Sequence, residues 1–158
     1  MSLVGQLETV VEMKTPAAQL QEVFSCRPYI VTITSPERAQ SCELIQGEWG
    51  KEGFVIRWTL TRDGKNPRVS KEIMEVIDNE NFITIYKLTE GRLLEKYKSF
   101  YTITKISPKD DDESSLVYLT YKYEKHNEDV PDLDDKLIHM AIDVIKSIDA
   151  YLLAQLHA

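Results

Sequence analysis

Tyrosines are the densest set of chemistry-bearing side chains in this sequence: the chain has eight, and Tyr97, Tyr101, Tyr121 and Tyr123 crowd into two short stretches. A phenol both donates and accepts hydrogen bonds. Several of them around an apolar space would orient a ligand carbonyl or enol and hold a developing oxyanion without a metal. In Leu116 to Lys125, strand alternation places Val117, Leu119, Tyr121 and Tyr123 on one face and Tyr118, Thr120, Lys122 and Glu124 on the other. The first set is the apolar one and is expected to point inward. Taken singly, each tyrosine is better explained as core filler with its hydroxyl bonded to backbone or water. The argument for chemistry rests on the cluster.

Other catalytic arrangements find less support. His139 falls on the polar face of a helix, His126 in the loop after the last strand and His157 next to the C-terminus, so neither histidine acid–base work nor a metal site is expected. Cys26 and Cys42 have no identifiable activating partner and form no disulfide framework; two buried structural thiols in a reducing, cytoplasmic setting are the reading they support. Lys122 should face outward. Lys125, at a strand end, is the one lysine placed near a cavity mouth. Glu72 would be a carboxyl with a raised pKa, and a candidate base, if it pointed inward; the solvent-facing orientation is the preferred one. The loop Gly47-Glu48-Trp49-Gly50-Lys51-Glu52-Gly53 has the glycines of a phosphate cradle, but no Gly-Lys-Ser/Thr follows, and a hairpin turn explains it better.

These side chains need elements to position them. From Pro131 to Leu156, Leu137, Met140, Ala141, Val144, Ile145, Ile148, Tyr151 and Leu152 recur at helical spacing, with His139, Asp143, Lys146, Ser147, Asp149 and Ala154 opposite. Asp132 is the expected N-cap, with Asp134 and Asp135 in the first turn. Leu3 to Met13 reads as a strand. Thr15 as N-cap and Pro16 at the first helical position open a short helix ending at Cys26-Arg27-Pro28, and Ser35-Pro36 repeats the signal for a second. Strands are then expected at Cys42 to Glu48, Phe54 to Arg62, Val69 to Ile77, Phe82 to Thr89, Leu94 to Ile106 and Leu116 to Lys125, with a hairpin at Asp63-Gly64. Phe54, Ile56, Trp58 and Leu60 share one face. The expected fold class is α+β: a seven-stranded, curved antiparallel sheet wrapped around a long C-terminal helix, with two short helices after the first strand.

The 158 residues suit one domain, 1–158. A net charge of −7, with scattered Lys and Arg, argues against nucleic acid as a partner. No basic, apolar leader and no run of membrane-spanning length is read, so no membrane partner is expected.

The order of elements resembles the helix-grip (START-like) fold of the birch-pollen-allergen (Bet v I) superfamily. Ser2-Leu3-Val4-Gly5-Gln6-Leu7-Glu8, Gly47-Glu48-Trp49, Glu95-Lys96-Tyr97-Lys98-Ser99-Phe100, Leu116-Val117-Tyr118-Leu119-Thr120 and Tyr123-Glu124-Lys125 resemble the wording of its major latex protein family over nearly the entire chain. The interrupted glycine loop departs from the longer glycine run of many relatives. The resemblance implies a cavity between sheet and helix for small hydrophobic plant metabolites, and in some relatives cofactor-free cyclisation, isomerisation or condensation. It also favours Tyr97, Ser99, Tyr101 and Ile103, and Thr84, Tyr86 and Leu88, as the inward sets. Candidate catalytic residues are accordingly Tyr97, Tyr101, Tyr121 and Tyr123. Candidate cavity residues are Trp58, Tyr86, Leu88, Ser99, Ile103, Val117 and Leu119 from the sheet, and Leu137, Met140, Ala141, Val144 and Ile148 from the helix. The reading is a cavity protein, a monomer with a dimer as the alternative, that binds a hydrophobic plant metabolite, received from upstream biosynthetic enzymes, and steers its cyclisation or isomerisation in specialised (terpenoid/iridoid or alkaloid) metabolism with no cofactor. The alternative is a non-catalytic carrier or hormone-binding, defence-associated protein. A ribonuclease activity, suggested for distant relatives, is disfavoured by the acidic charge and by the lack of an inward histidine pair.

Overall fold

The computed structural model describes residues 3–156; Ser2 and His157 lie outside them. Seven strands, β1 (Val4–Met13), β2 (Ala39–Gln46), β3 (Val55–Arg62), β4 (Lys65–Asp78), β5 (Ile83–Glu90), β6 (Tyr97–Lys109) and β7 (Ser114–Lys125), form one antiparallel sheet in the order β1-β7-β6-β5-β4-β3-β2. Helices α1 (Ala17–Cys26) and α2 (Val31–Thr34) follow β1, and α3 (Asp135–Leu156) closes the described chain. This is the fold class expected from the sequence.

The helix boundaries differ from expectation for identifiable reasons. Helix α3 starts two residues late. Asp134 Oδ1 accepts the Lys136 amide, as an N-cap does, while Asp132 instead pairs with Lys125 at 2.6 Å. Thr15 does not cap α1 either. Its hydroxyl donates to Asp149 Oδ1 at 2.6 Å and Pro16 takes the cap position. Asp149 was assigned to the polar face of α3, yet it is buried, because it accepts these bonds from the segment that leads into α1. The second short helix precedes Ser35 rather than following it: Ser35 closes α2 by donating its amide to Val31, and the chain turns at residues 36–38 into β2.

Buried apolar side chains form two clusters. The larger runs from α1 through β6, β7 and α3 (Leu20, Val23, Phe100, Val117, Leu119, Ile138, Ile145, Ile148, Leu152), and the smaller lies under β2, β3 and β4 (Ala39, Phe54, Ile56, Trp58, Met74). Ile138 was missed in the sequence stripe. The glycine loop between β2 and β3 closes the smaller cluster: the Trp49 ring meets Tyr29 and Phe54 edge-on, and the Gly50 amide donates to Ser25. It is a tethered turn. Glycine is required at Gly50, where φ is +82° and a Cβ would sit 2.8 Å from Cys26 Sγ.

Candidate functional site: the cavity between sheet and helix

The two clusters leave a cavity of about 340 Å³ between them. That lies near the lower end of the roughly 300–1,000 Å³ typical of small-molecule pockets. Helix α3 forms one side with Leu137, Met140, Ala141, Val144, Ile145 and Ile148; α1 adds Val23 and Phe24; the sheet adds Trp58, Glu72, Thr84, Tyr86, Thr102, Thr104, Leu119 and Tyr121. Pro28, Val31, Arg38, Ala39, Leu60 and Thr61 complete its lining. A second groove, of about 460 Å³, lies outside the grip between α1 and the end of α3, beside the exposed Glu22–Arg27 ion pair.

Strand register decides which candidates reach this space. Opposed residues of paired strands share a face. β7 was read correctly: Val117, Leu119, Tyr121 and Tyr123 are buried while Tyr118 and Lys122 are exposed. Their partners on β6 are Ile106, Thr104, Thr102 and Phe100, so the even positions of β6 point inward. Ser99, Tyr101 and Ile103, expected inward, therefore face the other side, where Lys87 Nζ lies 5.9 Å from the Tyr101 ring centroid. The phase reverses at a bulge between Tyr97 and Ser99, which is why Tyr97 itself is still buried.

Tyr97 and Tyr123 do not line the cavity. Their rings pack edge-on at 5.0 Å; Tyr97 donates to the Pro131 carbonyl at 3.5 Å, and the Tyr123 hydroxyl accepts the Leu133 amide at 3.3 Å. Both hold the connection between β7 and α3. The Tyr123 ring also occupies the space over Gly5, whose Cβ, if present, would lie 2.6 Å from it. Lys125 is engaged with Asp132 at this same end and is not a cavity residue. Leu88 and Val117 pack into the larger cluster without lining the void. Among the expected candidates, Trp58, Tyr86, Leu119, Tyr121, Leu137, Met140, Ala141, Val144 and Ile148 do line it.

Glu72 reverses the expected orientation. It opposes Ile56 on β3 and Leu88 on β5, both inward, and borders the cavity. Desolvation pushes its carboxyl from an ordinary 4.5 up to about 7, against a lowering contribution from the Trp58 indole N–H. That N–H meets no acceptor at full hydrogen-bonding geometry among the described residues; the diagonal neighbour Glu72 is the group it favours. Around the carboxyl, Tyr121 and Tyr86 are driven above the usual phenol range first by burial and then by the Glu72 charge. Burial also pushes the Cys42 thiol up to about 12. The Tyr86 hydroxyl is committed to the Phe24 carbonyl at 2.6 Å, and Thr84 and Thr104 share a hydrogen bond with one another. Tyr121 is the lining phenol whose hydroxyl makes no hydrogen bond to another described residue.

The site is thus an apolar chamber with one wall carrying a carboxyl, an indole N–H and an uncommitted phenol. His126 and His139 are exposed and outside it, and His126 is held at the Leu94 carbonyl. Sequence reasoning placed Thr84 inward but missed Thr102 and Thr104, and it preferred the solvent-facing side for Glu72. The threonines follow from the β6 register; Glu72 follows only once the bulge beside the Asp63-Gly64 hairpin is known.

A curved sheet gripping a long helix over an apolar chamber defines a cavity-forming, ligand-binding class of protein. The chain belongs to the Pathogenesis-related protein Bet v 1 family, whose sequence profile matches residues 2–155, and within it to the major latex proteins. Family members bind small hydrophobic ligands. MLP-like protein 43 of Arabidopsis thaliana is 36% identical over 154 residues, covering 98% of this chain and 96% of the relative. The crystal structure of major latex-like protein 151 from Panax ginseng is 32% identical with a TM-score of 0.85, over 94% of this chain and 97% of that one. Norcoclaurine synthase from Thalictrum flavum, solved in complex with dopamine and hydroxybenzaldehyde, is 18% identical with a TM-score of 0.77, covering 97% of this chain and 88% of its own. It shares the fold. Among the described residues, no helix is long and apolar enough to cross a membrane.

Proposed function

We propose that this protein holds a small, predominantly apolar plant metabolite between α3 and the sheet and steers its cofactor-free cyclisation or isomerisation. One observation carries the reading: the chamber of about 340 Å³ is apolar on its α3 side and concentrates its polar atoms (Glu72, Trp58, Tyr121) on the sheet side. Such a distribution fixes the orientation of a ligand that is apolar except at one end. Holding a reactive molecule in one fold favours one ring closure or double-bond position over others through proximity and orientation. The protein acts as a monomer in the cytoplasm on an intermediate delivered by other biosynthetic enzymes, and two unpaired cysteines fit a reducing compartment.

The test pairs binding with product analysis. Candidate dialdehyde, enol and alkaloid intermediates are incubated with the protein, and retention and product distribution are measured. The expected result is a product ratio different from that in buffer, altered several-fold by Tyr121→Phe and unchanged by Tyr101→Phe. Tight binding with products identical to those in buffer would leave a carrier in place of an enzyme.

A further inference from the structure

We propose that Glu72 is the proton-transfer residue of the cavity, moving a proton to and from carbon in a small apolar carbonyl compound whose oxygen is held by the Tyr121 hydroxyl. This rests on the binding reading above and names the substrate class. Glu72 is the one carboxyl among the lining residues, and register forces it inward: it stands between Ile56 and Leu88 in the ladder and diagonal to Trp58. The groups facing it leave it as the one that changes charge near neutrality. Cys42 from β2 and Tyr86 and Tyr121 from β5 and β7 are all held in their neutral forms by burial. Helices α1 and α3 present no charged side chain to the cavity, and Arg38, the one cation of the lining, pairs with Asp143, 3.7 Å away. The Trp58 N–H, without a full partner of its own, steadies the carboxylate when it forms. A base of this kind works best when its pKa lies near the working pH.

The step balances without an oxidant. The Glu72 carboxylate takes a proton from the carbon beside the carbonyl. The C–H electron pair becomes the C=C bond of an enolate, and the carbonyl π pair moves to oxygen, where the Tyr121 O–H donates to it. Protonated Glu72 then returns the proton to the same carbon or, in an unsaturated carbonyl, to the far carbon of the conjugated system. The double bond is thereby shifted and the carboxylate restored.

The probe is 2-tetralone, an apolar ketone with exchangeable protons beside its carbonyl. Binding is followed by quenching of tryptophan fluorescence, and exchange of those protons in deuterated buffer by NMR, for wild type, Glu72→Gln, Glu72→Asp and Tyr121→Phe. Wild type should accelerate exchange at least about a hundredfold over buffer, with a rate that rises with pH to a plateau through about 7. Glu72→Gln should bind comparably and lose the acceleration, Glu72→Asp should restore part of it, and Tyr121→Phe should slow it roughly tenfold or more. Bound 2-tetralone that exchanges no faster than in buffer, or equally fast in Glu72→Gln, overturns the proposal and leaves the binding reading intact. If neither 2-tetralone nor an anilinonaphthalene dye binds, the binding reading fails and the proposal falls with it.

Discussion

Oδ1 of Asp149, in the second half of α3, accepts both the amide and the hydroxyl of Thr15, at 3.0 and 2.6 Å, while Oδ2 accepts the Lys14 amide at 3.0 Å. The Thr15 carbonyl in turn accepts the Ser115 hydroxyl at 2.7 Å. One buried carboxylate therefore ties the C-terminal helix to the first helix's entry and, through Thr15, to the start of β7.

Asp149→Ala should be strongly destabilising. It strands a buried hydroxyl and two amides, and hydrogen bonds to a charged acceptor contribute about 1.5–3 kcal/mol each where an unmet donor stays buried. The expected loss is about 3 kcal/mol or more, read as a fall of roughly 10 °C in Tm. Asp143→Asn, an exposed carboxylate whose half-buried partner Arg38 lies 3.7 Å away, should change stability by less than about 0.5 kcal/mol. Equal melting temperatures for the two variants would refute the assignment.

How much of this was legible in the sequence depends on which periodicity carries the information. The helical stripe of α3 located the cavity's lid, and Asp149 was legible too, since it lies four residues after Ile145 and three before Leu152 on the buried side. Its charge was read as a mark of solvent, whereas three donors made burial favourable. In strands a single extra residue exchanges the two faces. Alternation served β7, which runs through its inward set without a shift. It failed on β6, where the bulge after Tyr97 changes the phase, and on β4. There the two-residue Asp63-Gly64 hairpin pairs Arg62 with Lys65, but a register shift before Arg62 places Glu72, not Lys71, opposite Ile56. The shift accompanies Thr61, whose amide and hydroxyl bond to the Arg38 and Glu37 carbonyls. Those partners are distant in sequence and alternation does not reveal them.

Glu72 makes stability depend on pH with a definite sign. Its folded pKa of about 7 exceeds the ordinary 4.5, so the fold prefers the protonated carboxyl. That preference is fully present below 4.5 and is lost as pH rises through about 7. A shift from 4.5 to about 7 corresponds to roughly 3 kcal/mol at most. Glu72→Gln, which mimics the neutral acid, should match wild type at pH 4, below the ordinary 4.5, and exceed it at pH 8 by up to that amount in urea unfolding. A stability difference that does not change between the two pH values would show that the carboxyl is solvated.

Ile148 is 2% exposed and meets both the core and the cavity. Ile148→Asp should unfold the protein or release α3, since an unpaired buried charge costs several kcal/mol. Ile148→Ala should cost about 2–4 kcal/mol and enlarge the chamber, keeping the fold. Circular dichroism and thermal melts separate the outcomes: an Ile148→Asp variant as stable as wild type would place this residue on the wrong face of the helix.

Tyr97 and Tyr123 were expected to act on a ligand, and their hydroxyls instead meet the Pro131 carbonyl and the Leu133 amide, beside the Lys125–Asp132 ion pair. At 3.3 and 3.5 Å these are modest hydrogen bonds. Tyr97→Phe and Tyr123→Phe should therefore each cost about 1 kcal/mol or less, because the buried rings and their edge-on packing remain. The loss should be local. Hydrogen exchange should quicken at the Leu133 amide and in the first turn of α3 in Tyr123→Phe, while the β-sheet amides keep their protection. Affinity for an apolar probe should stay within about twofold of wild type in both variants, whereas Tyr121→Phe should change how a carbonyl-bearing ligand is held. If Tyr97→Phe or Tyr123→Phe instead altered ligand affinity or product ratio and left exchange at Leu133 untouched, these phenols would have to reach the cavity, and their assignment to the β7–α3 connection would be wrong.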